Sequence, residues 1–148
     1  GDYVVFQFHQ KNHSATQSTF ENPCTPKPGG FNSGFHPVGA NQTDNFPTFT
    51  IPVTSDHKPI WVHCEQGANT NASHCGMGMV FAVNANNKHT FAEFQAKALE
   101  IGKELGVKAA APPPASSSVV STSTKAAYWA APSAPSPPTP PKAPSWGY

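Results

Sequence analysis

Apolar and polar positions alternate from the start of the chain. Tyr3 to Phe8 reads Y-V-V-F-Q-F, with Val4, Phe6 and Phe8 on one side and Tyr3, Val5 and Gln7 on the other. That period predicts a strand whose core face carries Val4, Phe6 and Phe8. Residues 9–45 lose the period and fill with Asn, Ser, Thr, Gly and Pro, which predicts long loops pinned by Phe20, Phe31 and Phe35. Alternation returns over Asn45–Val53, with Phe49, Ile51 and Val53 opposite Thr48 and Thr50, and Pro47 and Pro52 place it at a sheet edge or in a short strand. Ile60–Cys64 and Met79–Asn84 are further β-prone runs. One helix is expected: Phe91, Phe94, Ala98, Ile101 and Leu105 form an apolar stripe, Thr90 and Glu93 have capping-box spacing, and Gly106 suits the position past the last turn. Gly102 should weaken it slightly. The prediction is mainly β with one short helix toward the end of the folded part.

Composition divides the chain. Ten of the 17 prolines fall between Pro112 and Pro144, which predicts a domain over residues 1–107 and a Pro/Ser/Ala-rich linker or stalk over 108–148. Tyr128-Trp129 and Trp146-Gly147-Tyr148 are aromatic exceptions within that stalk. Formal net charge is +1 and arginine is absent, so neither a basic field nor a guanidinium fork supports a nucleic-acid partner. No apolar run reaches membrane-spanning length. The opening Gly1-Asp2-Tyr3-Val4-Val5 reads like the middle of a domain, and a strand is expected ahead of it.

Candidate chemistry concentrates between Cys64 and Met79, where a thiol, the His74 imidazole, a second thiol at Cys75 and the thioethers of Met77 and Met79 lie within sixteen residues. Thiolate, thioether and imidazole together suit copper; zinc accepts Cys and His but has no comparable use for Met. A second imidazole must come from another segment. Cys75 follows His74 directly, so its side chain should point elsewhere, and Cys24 lies in a Pro-rich loop without a histidine at metal spacing. Pairing Cys24 with Cys75 accounts for the odd count of three and leaves Cys64 free as a ligand or as a buried thiol.

Three stretches carry a family resemblance: K-N-H-S-x-T-Q-S-x-F-x-N-P-C at Lys11 to Cys24, P-I-W-x-x-C at Pro59 to Cys64, and H-C-x-x-G-M-V-F-A-V-N at His74 to Asn84. In this order and spacing they resemble the fungal extracellular cupredoxin-like proteins, small secreted and often serine-rich proteins related to the plant phytocyanins. The resemblance implies a Greek-key β-sandwich with its first strand missing here, and one copper ion held by His13, Cys64, His74 and Met79. It implies a Cys24–Cys75 disulfide as well. It also implies blue-copper single-electron transfer outside the cell, at a wall or surface, with a redox protein or wall component as partner and no enzymatic turnover. Two departures stand out. The ten-residue step from Cys64 to His74 predicts a looser ligand loop, and Ser14 occupies a position where classical cupredoxins often carry a bracing Asn.

The remaining histidines rank lower as ligands. His9 is close to His13 in sequence, His36, His57 and His89 sit in polar turns that should face solvent, and His63 should point away from the face used by Cys64. Met77 is the rival to Met79. Three candidate N-glycosylation sequons begin at Asn12, Asn41 and Asn71; a glycan on Asn12 would crowd the metal site. The competing functional readings are a non-redox structural or adhesive wall protein and, more weakly, a copper oxidase. The oxidase or oxygenase reading suffers because such enzymes use an N-terminal His brace or a multi-copper cluster, whereas this sequence opens on Gly and carries one compact ligand set.

Overall fold

The computed structural model describes residues 1–55 and 57–108. The stalk expected over 108–148 therefore lies outside the described residues apart from Lys108. The described chain is mainly β, with seven short strands in three small sheets and one helix. Strands β1 (Asp2–Gln7) and β5 (Thr48–Val53) pair antiparallel, as do β2 (Lys11–His13) and β4 (His36–Val38). The third sheet runs β3 (Thr16–Ser18), β6 (Ile60–His63), β7 (Val80–Val83), again antiparallel.

Strand alternation gives this third sheet two covered faces. Val62 points into one core with Phe8, Ala15 and Val38, against which Phe6, Phe31, Phe49 and Phe81 pack. Phe6 meets Phe81 edge-on at 5.6 Å, as expected for paired aromatics in a core. Trp61 and Val80 point the other way, into a core with Cys75, Phe94 and Ala98. The expected alternation of β1 and β5 holds: Val4 and Ile51 are buried while Tyr3 and Thr50 are exposed.

The helix α1 (Phe91–Glu104) supplies the second core. Thr90 caps it, accepting from the Glu93 N–H while Glu93 accepts from the Thr90 N–H, the reciprocal pair that its spacing predicted. Phe94 and Ala98 are fully buried, whereas Phe91 is exposed, so the stripe begins one turn before the sheet it packs on. Gly102 corrects the sequence reading. A Cβ there would collide with the Gly76 carbonyl oxygen, so this glycine permits a backbone-to-backbone approach. It seats the helix on the 3-10 turn Cys75–Met77, directly after His74.

Residues 9–45 also differ from expectation. They contain β2, β3 and β4, whose three residues each offer too few positions for a period to register. Phe20 and Phe31 do anchor this region, on Trp61 and Phe49 respectively, but Phe35 is exposed and anchors nothing.

Candidate metal centre

Three short segments, two of them only ten residues apart in sequence, bring one side chain each to a single point. His13 ends β2, Cys64 follows β6, and His74 precedes the 3-10 turn. Cys64 Sγ lies 3.7 Å from His13 Nδ1 and 3.5 Å from His74 Nδ1, and the two imidazole nitrogens are 3.2 Å apart. Among the described residues, this is the group of His, Cys and acidic side chains able to hold a metal ion.

The donor chemistry fits that use. His13 Nε2 lies 2.9 Å from the Gln10 carbonyl, an acceptor only, so this nitrogen carries the proton and donates. In the neutral ring Nδ1 is then a bare lone pair aimed at Cys64 and His74. The backbone reaches this position through Lys11 at φ +84°, an uncommon conformation for a residue with a side chain. Burial lowers the pKa of His13, and at His74 burial with the nearby His13 and Lys11 charges lowers it to about 4. Both rings are therefore neutral near pH 7. Burial also pushes the Cys64 thiol up, so a cation must displace its proton to bind.

The spacing agrees with the chemistry. Ligand bonds of about 2.0–2.3 Å in a trigonal set leave donors roughly 3.5–3.7 Å apart. The observed triangle, with sides of 3.2, 3.5 and 3.7 Å, is close to that.

Met79 belongs to the same frame through its backbone. Its N–H donates to the His74 carbonyl at 2.9 Å, and its own carbonyl accepts from the Cys64 N–H at 3.2 Å. Both Met77 and Met79 are half-buried. The long step from Cys64 to His74, expected to loosen the site, is instead stitched by successive turns and closed by a 2.9 Å bond from the His74 N–H to the Gln66 carbonyl. Gln66 reaches across to the first ligand strand as well, its Oε1 accepting from Asn12 Nδ2 at 3.1 Å. Asn12 is thus half-buried and bonded within the site, whereas Asn41 and Asn71 are exposed.

Ser14 braces the two loops. Its N–H donates to Cys64 Sγ at 3.5 Å, and its Oγ accepts from the Glu65 N–H at 2.9 Å. Sequence reasoning missed Gln10, Gln66 and Glu65. Their roles depend on chain reversals that no local pattern announces.

Cys24 and Cys75 form a disulfide, and Cys64 is the free cysteine, buried. His63 is buried, and among the described residues neither of its ring nitrogens has a hydrogen-bond partner. His36 does not face solvent as expected; it stacks on Phe8 at 4.3 Å. His89 packs edge-on against Phe20, and His9 lies against Phe46. No helix among the described residues is long and apolar enough to cross a membrane. No protein-family model, curated protein or solved structure matches the chain.

Proposed function

We propose that this chain is an extracellular copper protein of the cupredoxin type, built to pass single electrons to a redox partner rather than to turn over a substrate. The observation that carries this reading is the convergence of His13 Nδ1, Cys64 Sγ and His74 Nδ1 from three separate segments. Two imidazoles, one thiolate and a thioether favour copper over zinc. Met79 is the thioether of choice because its backbone is bonded to both Cys64 and His74. Copper, when bound, supplies a one-electron couple.

The residues here do the rest. Gln10 holds the proton of His13 on Nε2, Cys64 gives up its thiol proton, and the Ser14 N–H supports the sulfur. Positions fixed in advance by such bonds have little to rearrange when charge changes, which suits electron transfer. The Cys24–Cys75 disulfide fits an oxidising compartment.

Titrating metal-free protein with Cu(II) tests the proposal. One equivalent should bind and give an intense visible thiolate-to-copper band. Cys64→Ser should remain folded and lose that band entirely. Folded wild-type protein that takes up copper without the band, or takes up none, overturns the reading.

A further inference from the structure

Beside the centre lies a closed ring of hydrogen bonds that begins and ends on one residue. The Glu65 N–H donates to Ser14 Oγ at 2.9 Å, and Ser14 Oγ lies 3.2 Å from Thr16 Oγ1. Thr16 Oγ1 donates to Glu65 Oε2 at 2.9 Å, and the same oxygen accepts from Asn32 Nδ2 at 2.7 Å. The protons in this ring have only one consistent arrangement. A carboxylate can only accept, so the single hydroxyl proton of Thr16 is committed to Glu65. Ser14 must then be the donor to Thr16, which leaves its lone pair for the Glu65 N–H. Ser14 and Thr16 are buried, at 7% and 1% exposure, so water does not compete for these bonds.

Ser14 also gives its backbone N–H to Cys64 Sγ. The carboxylate therefore anchors a chain that ties the His13–Ser14 segment to the Cys64–Glu65 segment, with Asn32 as a third point of attachment. Bonds that end on an ionised acceptor are the strong ones, and a chain in one direction strengthens each member.

We propose that Glu65 is a positioning residue for the His13–Cys64 side of the centre, and that its negative charge, next in sequence to the thiolate, favours Cu(II) over Cu(I). The second half rests on the copper reading above; the first half concerns the metal-free protein and does not.

Two measurements separate the halves. In metal-free protein Cys64 is the free thiol, and its rate of alkylation by iodoacetamide reports how firmly the loops hold it. Glu65→Ala and Thr16→Val each remove two hydrogen bonds of the ring, and each should raise that rate by about tenfold. Thr16→Ser should restore it, and Glu65→Gln, which keeps an acceptor oxygen, should stay within about threefold of wild type. Asn32→Asp is the surface variant that guards against misfolding: Asn32 is exposed, and the change keeps its Oδ1 for the Gly34 N–H while setting a second carboxylate against Glu65. It should also speed alkylation.

In copper-loaded protein, Glu65→Gln should raise the Cu(I)-to-Cu(II) affinity ratio by about tenfold, as removing one nearby charge requires. Wild-type alkylation rates in Glu65→Ala, Thr16→Val and Asn32→Asp together overturn the clamp. An unchanged ratio in Glu65→Gln overturns the charge effect. Failure of wild type to bind copper removes the function proposed above, and the alkylation series still decides the clamp.

Discussion

At His74 one imidazole carries opposing demands. Burial strips water from its charged form, and His13 and Lys11 oppose a further positive charge, so its pKa falls from 6.5 to about 4. His13 is lowered for the same leading reason. Between pH 6.5 and about 4 the unfolded chain binds a proton at this ring that the folded chain refuses. Stability of the metal-free protein should therefore fall as pH drops through that window and level off below it. The ring is only partly buried, and solvent screening reduces the loss at His74 to on the order of 1 kcal/mol. Urea unfolding of metal-free protein at pH 6.5 and pH 4 checks this, with His74→Gln expected to flatten the slope. A stability that rises toward pH 4 contradicts it. At this scale the sequence was legible where chemistry is borne by residue type: Cys64 and His74 stand out as donors within one short stretch, whereas His13 was singled out only through the resemblance of the K-N-H segment. The residues that prepare them are not. Gln10 acts through its carbonyl, which every residue has, and Glu65 acts through Thr16 and Asn32, partners separated from it by 49 and 33 positions.

Among the elements, α1 shows how far local pattern carries and where it misleads. Its stripe and capping box are local, so residues Phe91–Glu104 could be read directly. Gly102 could not, because its reason lies on another segment. Helix propensity says that Gly→Ala within a helix stabilises by about 1 kcal/mol. Here the added methyl meets the Gly76 backbone, and backbone cannot swing aside as a side chain can. Gly102→Ala should therefore destabilise by about 1–3 kcal/mol, the usual range for overpacking. The sign alone decides, and urea unfolding of metal-free protein measures it. The same variant should weaken metal binding, since α1 seats the turn that begins beside His74. The β2, β3 and β4 strands were illegible for the opposite reason. Their side chains answer to the site and to neighbouring loops, so polar residues such as Asn12 and Thr16 stand where a periodic strand would show alternation.

For the molecule as a whole, two small cores flank one three-stranded sheet, and neither is large enough to make a domain of this size robust. The Cys24–Cys75 disulfide ties residues 51 positions apart and sits inside the core beside α1. A closed loop of that length is worth about 4 kcal/mol on the chain-entropy estimate, with 2–4 kcal/mol typical. Copper at a thousandfold excess over its Kd would add about 4 kcal/mol. These two contributions are of similar size, and they meet on the same segment because Cys75 follows His74 directly. They should not be additive. Without the disulfide, copper must spend part of its binding energy ordering the Cys64–Met79 loop. Replacing both cysteines by alanine should lower the stability of metal-free protein by about 2–4 kcal/mol, and copper should then restore less than it adds to wild type. Unfolding wild type and the Cys24→Ala/Cys75→Ala variant, each with and without copper, closes the cycle. A smaller copper gain in the variant shows that staple and metal order one loop between them; equal gains would show that the disulfide holds the core alone and leaves the ligand loop to its own turns.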